Sequence, residues 1–536
     1  MPAPLSVAAP RTESMTLPDG TRLDATIWRP AAPGPYPVLL MRQPYGRAIA
    51  STVTLAHPAW YAAQGYIVAV QDVRGTGSSE GRFEVYANEA EDGAASVAWA
   101  AALDGSNGRV GMYGFSYQGA TQLLAAALAP AALGAITPVM SLWDIHAEKH
   151  AEGGAFALAG CASWAAQMGA LEARRRGDAA AFAALATYSN ATRYDGPVPA
   201  RPELLMRHAE LHHYEAWRSL PAGDAYWQRA SPSRRINPSR FAVPALHVGG
   251  WFDYHLRGTW DAYHALAGHA PAPQALVIGP WTHLMWAPRQ AGHDFGPAAQ
   301  GEIDSLSLAW NDWALKDRGA PPLRGVRLFD LGTRAWLAAE TWPETTPRLL
   351  HLTGQGLAGP RADTGGLAAT PGTPTVERFV ADPWRPAPAT APLSDRSEID
   401  QRHDVLTFTT APLEAPMTLL GCAVTRLAIT ADAPSFDVAV TLSVLRADGR
   451  AITLTSGYRH LPTPPAGVVP ITCEPCCITL HPGERLRLSI AGAAFPAYPV
   501  NPGTGADPSA ATAMEALPID LALRVAESML ELPLLA

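Results

Sequence analysis

Acyl transfer needs a serine whose hydroxyl is activated by a histidine, and a carboxylate that orients the histidine. The run Val110-Gly-Met-Tyr-Gly114-Phe115-Ser116-Tyr117-Gln118-Gly119, followed by the Ala/Leu-rich stretch Ala120 to Ala129, offers the serine. Strand formers lead into Ser116 and a strong helix former follows it, the pattern of a nucleophile elbow. Such a turn lifts the hydroxyl clear of the backbone and aims a helix N-terminus at the reacting carbonyl. Glycines flank the turn because side chains there would meet the neighbouring strand and helix. Gln118 stands where G-x-S-x-G would place glycine, so the motif needs partners elsewhere in the chain.

Two later strands supply them in the order Ser, Asp, His. Ala245-Leu-His-Val248 runs into Gly249-Gly250-Trp251-Phe252-Asp253-Tyr254, and Ala275-Leu-Val-Ile278 into Gly279-Pro280-Trp281-Thr282-His283. Ser116 is expected as nucleophile, His283 as general base and acid, and Asp253 as the orienting carboxylate. Asp144, in Ser141-Leu-Trp-Asp144, is the competing acid. His247 lies within a strand and reads as a core histidine; His255, His264 and His269 read as solvated. His146-Ala-Glu-Lys-His150 pairs two histidines at i, i+4, but its glutamate is at the wrong offset for H-E-x-x-H, so a surface helix start is expected. The oxyanion needs donors as well. One is the Tyr117 N–H, the other should come from Arg42-Gln43-Pro44-Tyr45-Gly46-Arg47, where the Tyr45 hydroxyl is a candidate and a packing role equally open.

The positioning elements follow from periodicity. Residues 15 to 29 alternate about Pro18-Asp19-Gly20 as an opening hairpin. Tyr36 to Met41, Tyr66 to Val70 and Val110 to Tyr113 are short apolar runs separated by helical patterns such as Ala87 to Ala102, as in buried parallel strands with crossover helices. Roughly 145 to 240 has no convincing strand and reads as a helical insertion over the strand ends, a cap. After about 355 a Gly/Pro/Thr-rich connector runs to about 374. Val424 to Ile429, Asp437 to Val444 and Arg485 to Ile490 then alternate with period two, the texture of an antiparallel β-sandwich.

At 536 residues the chain exceeds one hydrophobic core, and 48% hydrophobic against 16% charged residues indicate a folded protein. A net charge of -8 gives no reason to expect nucleic acid or an anionic membrane. No apolar leader or span of membrane length is evident, so a cytoplasmic protein is expected. Cys161, Cys422, Cys473, Cys476 and Cys477 are too few and too odd in number for a disulfide framework and lack the pairs for a metal knuckle; reduced, mostly buried thiols are expected.

Taken together, Pro44-Tyr45-Gly46-Arg47, Gln71-Asp72-Val73-Arg74-Gly75-x-Gly77-x-Ser79-x-Gly81, Gly114-x-Ser116-Tyr117-x-Gly119, Gly250-Trp251-Phe252-Asp253 and Gly279-Pro280-Trp281-x-His283 resemble the cocaine-esterase-like hydrolases related to Xaa-Pro dipeptidyl-peptidases. In that family the elbow reads G-x-S-Y-x-G, which accounts for Gln118. The resemblance spans nearly the full chain. It implies an α/β fold with an α/β-hydrolase domain over 1–144 and 241–354, a helical cap over 145–240 and a jelly-roll β-sandwich over 355–536, the segment Gly483 to Gly505 being similar to the jelly-roll signature. It also implies Tyr45 as the side-chain oxyanion donor, and Asp72, Arg74 and Gly75 as a structural loop beside the site.

The family divides by substrate. Its peptidases usually carry an additional N-terminal domain, whereas this chain begins almost directly with the hydrolase hairpin, which disfavours the peptidase. Its α-amino-acid ester hydrolases hold an ammonium group with clustered acids; Glu302, Asp304 and Asp312 are candidates, although spaced charges on a helix are more often a solvated face. The expected activity is a serine hydrolase for a carboxylic ester, or an amide, with an apolar or aromatic part. The alternatives are an Xaa-Pro dipeptidyl-peptidase and an α-amino-acid ester hydrolase or acyltransferase. Trp143, Trp164, Trp251 and Trp281 are candidate pocket aromatics, each equally suited to a core. No metal or organic cofactor is required. The expected partner is a small-molecule ester or amide, and self-association stays open.

Overall fold

The computed structural model describes residues 3–49, 52–191, 194 and 200–536. Its first sheet has ten strands. β1 (Arg11–Thr16), β2 (Arg22–Trp28), β3 (Tyr36–Gln43), β4 (Ile67–Asp72), β5 (Ser106–Phe115), β6 (Leu133–Val139), β7 (Ala245–Phe252) and β8 (Gln274–Thr282) lie in the order β1-β2-β4-β3-β5-β6-β7-β8. Gly325–Asp330 and Ala335–Ala339 complete the far edge. From β4 through Gly325–Asp330 every pairing is parallel, and the opening hairpin and the last strand pair antiparallel.

The alternation along β3 explains why the sheet is covered on both sides. Val38 and Leu40 join Val97, Ala100 and Leu123 on one face, from α2 (Glu89–Ala101) and α3 (Tyr117–Ala127). Leu39 and Met41 join Tyr61, Ile303 and Trp310 on the other, from α1 (Pro58–Ala63) and the helix Ile303–Lys316. Both faces being buried, these strands carry little polar side chain except where they end.

The chain leaves this sheet after β6 and returns at β7. Between them α4 (Leu158–Arg176) and α5 (Ala179–Asn190) form a helical hairpin, followed by short helices. The hairpin turn is locally specified. Gly177 closes α4 in the left-handed region at φ 78, and the Asp178 carboxylate caps α5 by accepting the Ala181 N–H at 2.9 Å.

The C-terminal part holds an eleven-stranded sheet and a three-stranded one, Val376–Ala381, Ile519–Arg524 and Ile429–Ala431. Phe379 and Leu521 of the small sheet share one apolar cluster with Phe408, Val440 and Ile490 of the large one, so the two sheets enclose a common core. One expected boundary is corrected. Thr345–Thr353, placed before 354 with the hydrolase strands, pairs along its length with Met529–Leu535 and belongs to the C-terminal sheet. Its partner is the last strand of the chain, a pairing that no local pattern announces.

Candidate functional site: a serine at the strand ends

Ser116 sits between β5 and α3 at φ 61, ψ -123, a conformation L residues rarely adopt. The surroundings hold it there. Its N–H donates to the Val139 carbonyl at 2.9 Å, and its carbonyl accepts the Gly119 and Ala120 N–H groups. A Cβ on Gly114 would lie 2.5 Å from the Gln118 Cβ, and one on Gly119 would lie 2.7 Å from the Ser141 Cβ. Gln118 serves the turn itself, since its Oε1 accepts the Phe115 N–H at 3.0 Å.

Tyr117 opens α3, so its N–H is one of the groups a helix leaves without an internal partner. Its hydroxyl donates to Glu89 Oε1 at 2.8 Å and accepts the Tyr86 N–H at 3.1 Å. Glu89 in turn pairs with Arg42 on β3, and all three side chains are buried. Burial pushes the Glu89 carboxyl up and the Arg42 guanidinium pulls it back. This chain of contacts ties the elbow to the strand whose following loop carries Tyr45.

The half-buried Tyr45 presents its hydroxyl to the Ser116 hydroxyl and the Trp164 indole. Burial raises its pKa and those two contacts lower it, so the phenol stays protonated and able to donate. The loop is clamped from β4: Asp72 accepts both the Arg47 main-chain N–H and its guanidinium, as well as the Ser78 N–H. Gly77 is needed where it stands, because a Cβ there would lie 2.1 Å from Asp72 Oδ2. Arg74 binds Asp92 through two hydrogen bonds.

His283 Nδ1 lies 2.8 Å from Asp253 Oδ1, both side chains being buried just past the ends of β8 and β7. The imidazole ring is 5.6 Å from that of Phe115, the residue before Ser116. The structure therefore pairs His283 with Asp253, sets Tyr45 against Ser116 and Trp164, and places the His283 ring beside Phe115, the chain neighbour of Ser116. Asp144 is occupied elsewhere, accepting from Ser233 and Arg234.

Several expectations need correction. Trp143, Trp251 and Trp281 are core residues. The Trp251 indole donates to the Phe329 carbonyl and the Trp281 indole to that of Ala299, while Trp143 packs with Ile236 and Phe241. Gly279 is required by that packing, since a Cβ there would strike the Trp281 ring. His255 is buried, not solvated, with its ring centre 5.1 Å from that of His283; burial, then the charges of Lys149 and His283, hold its pKa well down. His146 and His150 bound a five-residue helical turn, as expected, but are half-buried and pack on Trp227. Asp304 and Asp312 are engaged, accepting from the Tyr61 and Tyr66 hydroxyls. The tyrosines above the elbow were not legible: Tyr86 stacks on Tyr117 at 4.2 Å, and Tyr254, 66% exposed, lies over His283 at 4.3 Å. Only the adjacency of Tyr254 to Asp253 pointed toward it.

Among the described residues no group of His, Cys, Asp or Glu is placed to hold a metal ion, and no helix is long and apolar enough to cross a membrane. The five cysteines are free thiols, four of them buried.

Residues 19–285 match the family described as X-Pro dipeptidyl-peptidase (S15 family), and 319–521 match the X-Pro dipeptidyl-peptidase C-terminal non-catalytic domain. Cocaine esterase of Rhodococcus sp. (strain MB1 Bresler) is 30% identical over 529 residues, covering 91% of each chain. Among solved structures, an aminopeptidase from a marine sediment archaeon (Thaumarchaeota archaeon) superposes with TM-score 0.83 at 21% identity, covering 98% of this chain and 96% of its own. An α-amino acid ester hydrolase superposes with TM-score 0.78 at 21% identity, covering 99% and 97%. The chain belongs to the cocaine-esterase-like serine hydrolases related to X-Pro dipeptidyl-peptidases.

Proposed function

We propose that this protein hydrolyses a carboxylic ester through an acyl-enzyme on Ser116. The observation that carries the reading is the contact of His283 Nδ1 with Asp253 Oδ1 at 2.8 Å, at the strand ends beside a serine held at positive φ. His283 Nε2 takes the Ser116 proton as Oγ attacks the ester carbonyl, and Asp253 stabilises the imidazolium. The Tyr117 N–H and the Tyr45 hydroxyl donate to the oxyanion. His283 then protonates the departing alkoxide, activates water against the acyl-enzyme and returns the proton to Ser116. Residues 145–240 act as the cap that shields these steps, and the C-terminal β part from Thr345 onward, read as a jelly roll, as the domain that buttresses them. The ester reading rests on the relation to cocaine esterase. A preference for amino esters is disfavoured by Asp304 and Asp312, which are tied to Tyr61 and Tyr66.

The test is hydrolysis of p-nitrophenyl acetate and butyrate, alongside Xaa-Pro p-nitroanilides, by the wild type and Ser116→Ala. Ester turnover abolished by the substitution, with little anilide cleavage, is expected. Preferential anilide cleavage that needs a free N-terminus makes it a dipeptidyl-peptidase, and ester turnover equal in both proteins removes Ser116 from the mechanism.

A further inference from the structure

A cleft of about 760 Å³ lies between the loops after β3 and β4 and the cap, a volume typical of small-molecule sites. Pro44 and Tyr45 line it, and through the Tyr45 hydroxyl, which contacts Ser116, the cleft adjoins the serine. Its lining includes the apolar or aromatic side chains of Phe83, Met168, Leu171, Trp217, Leu220 and Tyr226. One face of α4 runs along it: Trp164 meets Tyr45, then Met168, Leu171 and Arg175 follow at helical spacing. At 1.5 Å per residue, Arg175 stands about 16 Å beyond Trp164.

The charged part of the lining is mostly cationic. Five arginines, Arg82, Arg174, Arg175, Arg176 and Arg229, line the cleft against three glutamates, Glu84, Glu172 and Glu210. Glu172 is taken by Arg175 and Arg176, and Glu84 by Arg229. Arg82 and Arg174 have no carboxylate partner among the described residues, Arg174 lying over the Phe182 ring instead. Both are exposed at the mouth. His212 and His213 add no charge at neutral pH, burial holding both pKa values down, that of His212 to about 4. In a chain of net charge -8, this local cationic excess is a focused field for an anion.

We propose that the cleft selects esters whose apolar chain ends in a carboxylate, the apolar part lying along α4 and the carboxylate reaching Arg82 and Arg174. The inference rests on the Ser116 hydrolase reading and adds the substrate class. It takes up no extra chemistry: the same ester bond breaks and the terminal carboxylate is untouched.

The experiment compares p-nitrophenyl decanoate, the mono-p-nitrophenyl ester of decanedioic acid and p-nitrophenyl 10-aminodecanoate, with p-nitrophenyl acetate as control, in the wild type and R82Q/R174Q. The carboxylate-ended ester should show kcat/KM about fivefold above the methyl-ended one at low salt, the size of one or two exposed charge pairs, and the amino-ended ester should fall below both. The preference should shrink at 0.5 M NaCl and vanish in R82Q/R174Q, with acetate turnover unchanged. Acetate turnover with no carboxylate preference, or a preference surviving in R82Q/R174Q, overturns this inference alone. Absence of turnover for every ester overturns the hydrolase reading and the inference with it.

Discussion

Tyr45 carries the sharpest residue-scale consequence. Its hydroxyl contacts both Ser116 and the Trp164 indole, and an indole N–H can only donate. The phenol oxygen therefore accepts from Trp164, which leaves its own proton able to donate, in the proposed reaction, to the oxyanion on the substrate carbonyl. A hydrogen bond strengthened this way is aligned before the reaction begins. Tyr45→Phe should lower kcat about a hundredfold while KM changes less than about threefold, read from steady-state kinetics on p-nitrophenyl butyrate. A fall confined to KM would make Tyr45 a wall of the pocket and leave the oxyanion to main-chain donors. Glu89 plays a supporting part at this scale, since it joins the Tyr117 hydroxyl to Arg42 and so holds the elbow against the strand before Tyr45.

Where the chain leaves the ten-stranded sheet after β6, one carboxyl group fixes the exit. Glu148 Oε1 accepts the Trp143 and Asp144 N–H groups at 2.7 and 2.9 Å, and Oε2 is buried without a hydrogen-bond partner among the described residues. Burial pushes its pKa up to about 8, against the pull of the Trp143 N–H and Lys149. A carboxyl whose folded pKa is raised binds its proton more tightly in the folded state. Its contribution is therefore fully present below the ordinary glutamate range and is lost as pH rises through 4.5 toward about 8. Glu148→Gln keeps an acceptor for both N–H groups and removes the titration. The variant should gain stability relative to the wild type between pH 5 and 8, measured by urea unfolding at both ends of that range. An unchanged difference would mean that the carboxyl titrates normally. The elements bearing Ser116, Asp253 and His283 were legible because each is a short apolar strand ending in glycine, with the reactive side chain just beyond. The cap interior was less legible: alanine-rich helices carry little periodic signal, and His146 and His150 turned out to lean on Trp227, some 80 positions away in sequence. Sequence left Trp143, Trp251 and Trp281 open between pocket and core, since an aromatic near a strand end packs inward or outward according to what covers it.

The whole molecule is held together by contacts that start next to the His283–Asp253 pair. Arg257, in the helix Leu256–Leu266 that follows Asp253, donates to the Cys473 carbonyl at 2.9 Å, to Cys422 Sγ at 3.4 Å and to Glu474, all in the C-terminal part. Trp251 and Trp260 belong to the same apolar cluster as the C-terminal sheets, so the two cores are continuous there. Arg257→Ala leaves a carbonyl and a carboxylate short of a donor, costing about 1–3 kcal/mol. Calorimetry should register a lower unfolding temperature, with only partial recovery in Arg257→Lys, whose single ammonium cannot span three acceptors. An unchanged unfolding temperature would mean that apolar contact alone joins the domains. Long-range pairings of this kind, like Thr345–Thr353 with the last strand, leave no trace in local pattern, whereas alternation did mark the C-terminal region as β structure. The central claim concerns Ser116 and is most directly tested by treating the protein with a fluorophosphonate and locating the adduct by peptide mass spectrometry. The account predicts one adduct, on the peptide bearing Ser116, formed in step with the loss of ester turnover and slowed on the order of a thousandfold or more in His283→Ala. Labelling at another residue, or full turnover in the labelled protein, would contradict it.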